Sequence, residues 1–248
     1  MTHHAPDVVR RAVAAVALLT LGAGCGTASD PSPPSGVDEL TVPTPSPDPA
    51  DYVDGIDNPW LPLTPGSSWA YAVTGGAGGG VVVTVADDPV TIAGVSAIAV
   101  QTVATFTAPE PGEVNVEGWS TTPRTDYYAQ DTRGNVWWLG REGRWQVGED
   151  GAEAGIAMLA TPRVGDGYRE ALVPGSEGPT AEVAALDGTA DTVLGELEDM
   201  VVIDVSTPDG LVQRGFYARG AGLVHRETLT GASEETLELS ATTIEADD

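Results

Sequence analysis

The chain has 248 residues, which is enough for one large domain or two small ones with a sizeable core. All 11 basic residues are arginines, and the 37 acidic residues give the chain a net charge of −26. A chain this acidic repels phosphate groups, so the composition argues against nucleic-acid partners.

The first 24 residues predict a lipoprotein signal peptide. Arg10 and Arg11 precede a run of small apolar residues at 12–24, which is too short to span a bilayer permanently. The run ends in LGAGC at 21–25, which resembles the lipobox of bacterial lipoproteins, although its leucine lies four residues before Cys25 instead of three. An ordinary secretory signal with an unrelated cysteine is the alternative, and export by the twin-arginine route is less well supported.

The lipobox resemblance implies that Cys25, the only cysteine, carries a lipid such as palmitate and becomes the first mature residue. Two or more acyl chains would hold the protein firmly on a membrane, whereas one chain gives marginal binding. We therefore expect a membrane partner through the N-terminal lipid. The expected location is the extracytoplasmic face of the cell membrane.

Residues 25–54 predict a disordered tether. This segment is rich in proline, serine, threonine and aspartate, and it cannot bury enough apolar surface to offset the entropy lost on ordering. At about 3.1 Å per residue, roughly 30 extended residues reach about 90 Å. The tether would therefore hold residues 55–248, the predicted domain, away from the lipid surface.

The predicted domain alternates apolar and polar residues with a period of two, which is typical of β-strands. Residues 69–73 and 81–85 predict two strands across a glycine-rich turn, and 125–130 with 136–139 predict a hairpin. Further strands are predicted at 95–106, 168–173, 180–185, 200–206, 211–218, 222–229 and 235–244.

Only residues 152–159 have a helical composition, and glycine and proline flank them. The sequence therefore predicts one all-β domain of about eleven strands, arranged as an antiparallel curved sheet, a half-barrel or a β-sandwich. No repeat of fixed period is visible, which argues against a propeller or a solenoid.

Several motifs resemble an uncharacterised family of secreted or lipid-anchored bacterial proteins that is common among actinobacteria. They are NPWLPLTPG (58–66), DYYAQD (126–131), GNVWW (134–138), GAEAGIAM (151–158), VGDGY (164–168) and FYARGAGLV (216–224). Tyr127 stands where the family usually has tryptophan, and Arg219 where it has proline. The resemblance implies a shared fold and an exported or lipid-anchored location. More loosely, the W-x-Y strand at 69–71 and the Y-x-x-G-x-G-x-V segment at 217–224 resemble envelope lipoprotein carriers, whose curved sheet can hold an apolar ligand.

The mature chain lacks the usual catalytic side chains. It has no lysine, one histidine at position 225, and no free thiol if Cys25 is acylated. A serine triad would have to use His225, which lies beside an arginine in a predicted strand and is better explained as structural. Metal sites that need two or three imidazoles cannot be built. We therefore predict that the protein is not an enzyme.

The predicted hairpin carries the residues of a candidate ligand surface. They are Asp126, Tyr127, Tyr128, Asp131, Trp137 and Trp138. Aromatic walls with paired acids are typical of sugar-cleaving sites, for which Glu117 is a further carboxylate. The alternative is a hairpin that only defines the fold, with Asp126, Tyr128 and Gln130 on one face and Asp131 in the turn.

A group of tryptophans is expected to decide whether the sheet encloses a cavity. Trp119, Trp137, Trp138 and Trp145 either fill the interior or line it. If they line it, a cavity of roughly 300 Å³ or more would suit an apolar ligand.

No cofactor is predicted, although calcium is a weak alternative because it prefers oxygen ligands. Acidic residues cluster at Asp51, Asp54, Asp57 and Asn58, and again at Glu149 and Asp150. No twelve-residue calcium loop is present, and solvated loop acids explain both clusters as well.

The sequence therefore favours a membrane-anchored extracytoplasmic lipoprotein that binds or carries an apolar or envelope-derived ligand, or a partner protein. A carboxylate-based hydrolase of cell-wall glycans using Asp126 or Glu117 is one alternative. A purely structural envelope protein is the other.

Overall fold

The computed structural model describes residues 41–42, 48–76, 78–106, 123–232 and 234–244. Cys25, Glu117 and Trp119 lie outside the described residues, as does the predicted signal peptide. Within the predicted tether, the structure places strands β1 (Thr41–Val42) and β2 (Tyr52–Val53) and a short 3-10 helix (Pro49–Asp51).

The next seven strands form the first half of the sheet. They are β3 (Ser68–Gly75), β4 (Gly79–Val85), β5 (Val90–Ile92), β6 (Val95–Phe106), β7 (Arg124–Asp131), β8 (Val136–Arg141) and β9 (Trp145–Gln146). The predicted strands of this half are all present, because their alternating apolar residues face a common core.

The second half contains eight strands. They are β10 (Glu153–Met158), β11 (Gly167–Arg169), β12 (Ala171–Leu172), β13 (Thr180–Thr192), β14 (Gly195–Ser206), β15 (Val212–Ala218), β16 (Gly222–Thr230) and β17 (Glu235–Thr242). The hairpin of β13 and β14 extends well beyond the predicted strands at 180–185 and 200–206.

The long strands form one antiparallel sheet, which confirms the predicted fold class. Neighbouring strands follow the order β10, β8, β7, β6, β4, β3, β17, β16, β15, β14, β13 and β11. The short strand β1 pairs in parallel with β11 at the end of this order. Among the described residues, no helix has the length and hydrophobicity needed to cross a membrane.

A bend at Glu170 brings the two ends of the sheet together. β11, before the bend, pairs with β13, while β12, after it, pairs with β10. The sheet therefore nearly closes on itself. A side chain at Gly155 on β10 would overlap the backbone of Glu170 and Ala171, so this close approach requires a glycine.

Residues 152–159 do not form the helix that their composition suggests. Residues 153–158 are strand β10, whose Gly155 and Ile156 pair with Trp138 and Trp137 on β8. Ile156 and Met158 are almost fully buried. Pairing and burial outweigh the weak helical propensity of a segment that also contains a glycine.

The NPWLPLTPG segment links several of the motifs on which the family resemblance rests. The buried Asn58 amide donates hydrogen bonds to the carbonyls of Gly134 and Leu159, and its oxygen accepts from the backbone N–H groups of Trp60 and Leu61. Asn58 therefore joins this segment to the turn before β8 and to the residue that follows β10.

A second set of contacts joins this segment to the turn between β15 and β16. Gly220 N–H donates to the carbonyl of Pro59 at 2.7 Å, and the Arg219 guanidinium lies 4.5 Å from the centre of the Trp60 ring. Arg219 thus makes a cation–π contact with Trp60.

Candidate functional site

A cavity of about 210 Å³ lies among β3, β4, β6, β7, β15, β16 and β17. Most of its wall is apolar or aromatic. The wall residues include Leu61, Leu63, Trp69, Tyr71, Val81, Val83, Val100, Leu223 and Leu237. This volume is smaller than the roughly 300 Å³ that we expected for an apolar ligand. The cavity therefore suits a small or slender apolar group.

A set of polar side chains lines the same cavity, and we call it the polar cluster. Its members are Arg124, Asp126, Tyr128, Glu170, Tyr217 and Arg226. Strands β7, β15 and β16 and the bend at Glu170 supply them. Since mostly apolar pockets with a few placed polar groups are typical ligand sites, this cavity is the candidate functional site.

Asp126 is held between two arginines. Its side chain is 2% exposed, and its two oxygens accept hydrogen bonds from the Nε atoms of Arg124 at 2.8 Å and Arg141 at 2.7 Å. The Arg141 guanidinium also lies 4.9 Å from the centre of the Trp138 ring. Asp126 therefore neutralises and positions arginines beside the cavity.

Glu170 faces the cavity from the bend that closes the sheet. Burial raises its pKa to about 7, and the positive charges of Arg141 and Arg226 oppose that shift. Its carboxyl group has no hydrogen-bond partner among the described residues. Glu170 therefore changes charge near neutral pH, where an ordinary glutamate stays ionised.

Of the tyrosines near Glu170, Tyr168 is buried, and Tyr128 and Tyr217 are half-buried. Burial raises the pKa of Tyr217 to about 12, and it also raises the pKa of Tyr128 and Tyr168 well above the ordinary value. The negative charge of Glu170 contributes to all three shifts. The hydroxyl of Tyr168 is buried without a hydrogen-bond partner among the described residues.

Arg226 differs from Arg124, the other arginine of the polar cluster, because no described carboxylate forms an ion pair with it. Among the described residues its side chain makes no hydrogen bond and no ion pair closer than 4 Å, although its charge lowers the pKa of Glu170, Tyr71 and Tyr217. By contrast, Arg214 on the neighbouring strand makes two hydrogen bonds to Asp204, at 2.7 and 2.8 Å.

The structure places only two of the six predicted surface residues at the cavity. Asp126 and Tyr128 line it, and the alternation that put them on one face of the strand is observed. Gln130, predicted on the same face, instead exchanges hydrogen bonds with Asp57. Tyr127 and Trp138 are partly exposed and do not line the cavity.

Asp131 organises the hairpin turn, as the alternative interpretation proposed. Its carboxylate accepts hydrogen bonds at 2.9 Å from Arg133 N–H, from the backbone and side chain of Asn135, and from the Trp137 indole. Trp137 is buried by this contact and lies outside the cavity wall. Both residues therefore support the fold.

Trp137, Trp138 and Trp145, which were expected either to fill or to line the interior of the sheet, do not line the cavity. Trp138 and Trp145 pack edge to face with ring centres 5.0 Å apart, and neither lines the cavity. Trp69 on β3 lines it instead, with its indole N–H donating to the carbonyl of Ala221 at 2.7 Å.

His225 packs against Phe216 with ring centres 5.2 Å apart and does not line the cavity. In the described part of the chain, no three His, Cys, Asp or Glu side chains are placed to hold a metal ion. Two of the residues suggested for calcium already make hydrogen bonds within the protein. The Asp57 carboxylate accepts one from the Gln130 amide, and the Asn58 amide donates to backbone carbonyls. That the protein has no cofactor stays a prediction, with calcium as its weak alternative.

Sequence reasoning missed Glu170 and Arg226. Glu170 is two residues from the buried Tyr168 in the predicted strand 168–173, so the alternation could have placed it inside. Arg226 had no such signal. A register shift in the pairing of β15 with β16 puts Leu223 and Arg226 at one cavity although three positions separate them.

Comparisons with known proteins give two distant structural similarities. No family model and no curated protein sequence matches this chain. A Bacteroides fragilis structure described as an exported protein with a YmcC-like fold has a TM-score of 0.42 and 14% identity, covering 74% of this chain and 98% of that one. A structure from Parabacteroides distasonis described as a lipoprotein has a TM-score of 0.40, with the same identity and coverage. The resemblance to the actinobacterial family stays a prediction.

Proposed function

We propose that this protein is a membrane-anchored lipoprotein of the extracytoplasmic face that binds a small amphipathic ligand without transforming it. The observation that carries the proposal is the cavity inside the curved sheet, whose wall combines aliphatic and aromatic side chains with the polar cluster. An apolar ligand chain gains about 0.8 kcal/mol per buried CH₂ group, while a few polar groups fix its orientation.

The binding test uses N-phenyl-1-naphthylamine, a neutral apolar dye whose fluorescence rises in an apolar environment. The protein should bind it with one saturable site. Val83→Trp, which adds volume at the cavity wall, should abolish binding. Val82→Trp is the matched control, because Val82 on the same strand is 46% exposed and outside the wall. Equal dye binding by both variants, or none by the natural protein, would reject the cavity as the site.

The anchor is tested separately through Cys25. The natural protein should fractionate with membranes and yield an acylated N-terminal peptide in mass spectrometry, whereas Cys25→Ser should be released from membranes. Release of both forms would contradict the lipid anchor and leave the cavity proposal unaffected.

A carboxylate-based glycan hydrolase is the second candidate, because Asp126 and Glu170 line one cavity and Glu170 has a raised pKa. Against it, both oxygens of Asp126 already accept hydrogen bonds from arginines. This candidate requires release of soluble sugars from cell-wall glycan and loss of that activity in Glu170→Gln. No release by the natural protein is the result expected from a binding protein.

A further inference from the structure

We propose that Arg226 binds the headgroup of an amphiphile that carries one negative charge, such as an alkyl carboxylate, while the alkyl chain lies along the apolar wall. This inference rests on the proposed function and names the class of ligand. It concerns the headgroup only, so it can fail while apolar binding in the cavity stands.

Charge is the first argument. The chain has 37 acidic and 11 basic residues, yet Arg124 and Arg226 line this one cavity and Arg141 adjoins it through Asp126. Asp126 neutralises part of the charge of Arg124 and Arg141. The half-buried Arg226 side chain has no carboxylate within 4 Å among the described residues. A bound anion would therefore give it a close, charge-assisted partner.

Unused hydrogen-bonding capacity is the second argument. The Tyr168 hydroxyl is buried and has no hydrogen-bond partner among the described residues. Tyr168 does not itself line the cavity, but it lies near Glu170 and Tyr217, which do. Buried polar groups are normally satisfied, so a donor without an acceptor needs an explanation. An anionic headgroup offers lone pairs, whereas a cationic headgroup offers none.

The apolar wall is the third argument. Leu223 and Leu237 line the cavity with Arg226, and Leu237 pairs directly with Arg226 across β16 and β17. A headgroup at Arg226 would therefore have aliphatic side chains next to its first methylene groups. The volume of about 210 Å³ suits one short chain.

Glu170 makes this binding dependent on pH. The charged and titratable groups that act on Glu170 or line the cavity with it come from six strands. They are Arg141 on β8, Arg226 on β16, Arg124, Asp126 and Tyr128 on β7, Tyr217 on β15, Tyr71 on β3 and the nearby Tyr168 on β11. The tyrosines stay neutral up to pH 8. A neutral Glu170 leaves Arg226 available, whereas an ionised Glu170 competes for Arg226 and repels the ligand.

The experiment measures displacement of N-phenyl-1-naphthylamine by three ligands with the same ten-carbon chain: decanoate, decanol and decyltrimethylammonium. At pH 6, decanoate should bind at least about tenfold more tightly than the other two. Arg226→Gln should remove that preference by lowering the affinity for decanoate to about that for decanol. Arg226→Lys, which keeps the charge, should retain most of it. Arg214→Gln is the matched control, because Arg214 pairs with Asp204 and does not line the cavity.

The pH dependence gives a second readout. Decanoate affinity should fall about tenfold between pH 6 and pH 8 in the natural protein and stay nearly constant in Glu170→Gln. If the protein binds the dye but has equal affinities for the three ligands, the headgroup assignment is overturned and the proposed function stays intact. Failure of the dye itself to bind would overturn both.

Discussion

Arg141 on β8 donates a hydrogen bond from Nε to the carboxylate of Asp126 on β7 at 2.7 Å, across the hairpin that borders the cavity. Arg124 binds the other carboxylate oxygen at 2.8 Å. One buried anion thus fixes two arginines that are 31% and 50% exposed. The arrangement predicts that Asp126 is important for stability as well as for the shape of the site.

Asp126→Asn should lower the free energy of unfolding by about 1–3 kcal/mol, because two arginines lose their shared buried anion. The matched control is Asp204→Asn, which breaks the more exposed pair with Arg214 and should cost about 0–1 kcal/mol. Urea unfolding of both variants measures the difference. Equal losses would contradict the special position of Asp126.

Asn58→Ala should cost about 2–4 kcal/mol, because it leaves two carbonyls and the Trp60 N–H without their side-chain partner, while the Leu61 N–H keeps its bond to the backbone carbonyl of residue 58. Asn58→Asp separates the two roles of the side chain. It keeps the acceptor for Trp60 and Leu61 but loses the donor to Gly134 and Leu159. Urea unfolding should therefore find Asn58→Asp also destabilised. A fully stable Asn58→Asp would show that the donor contacts contribute nothing.

Gly155→Ala should destabilise the protein by about 1–3 kcal/mol, because its methyl group would displace the backbone at Glu170. Gly80→Ala in β4 is the control, since its methyl group would meet its nearest neighbour, the Tyr71 carbonyl oxygen, at an ordinary distance of 3.4 Å. Thermal unfolding of the pair tests this prediction. A stable Gly155→Ala would mean that β10 can move away from the bend without cost.

The pKa of Glu170 predicts an unusual dependence of stability on pH. Because this pKa rises from 4.5 to about 7 on folding, the folded protein holds a proton that the unfolded chain has released between these pH values. The free energy of unfolding should therefore fall as pH rises from 5 to 7, by at most about 3 kcal/mol, and level off above pH 7.

The measurement is urea unfolding from pH 5 to pH 8 on the natural protein and Glu170→Gln. The difference between the two curves isolates the contribution of Glu170, since the other carboxylates are common to both. Parallel curves would show that Glu170 titrates normally in the folded protein.

The sequence predicted the architecture well because strand periodicity is local. The alternation of Trp69, Tyr71 and Val73 needs no knowledge of the partner strand. Which strands pair with each other is harder to predict from the sequence. The strand at residues 153–158 is fixed by β8 and by the bend at Glu170, both distant in sequence, so composition alone suggested a helix there.

The candidate site was predictable only in part, for a related reason. Asp126 and Tyr128 follow regular alternation along β7, and the sequence placed them together correctly. Arg226 reaches the cavity through a register shift, which local patterns do not reveal. The aromatic residues of the hairpin were predicted to form a ligand surface, yet the indole N–H of Trp137 donates a hydrogen bond to the carboxylate of Asp131.

The pairing of β3 with β17 has a consequence for folding. Trp69 lies opposite Thr242, so the first long strand of the domain finds one of its two neighbours only in the last strand. During synthesis, β3 and β16 remain open edges until the C-terminal strand has left the ribosome, and such edges invite pairing with other chains. Contacts this far apart in sequence also slow folding, so the nascent protein depends on protection from aggregation for longer than a protein built from local hairpins.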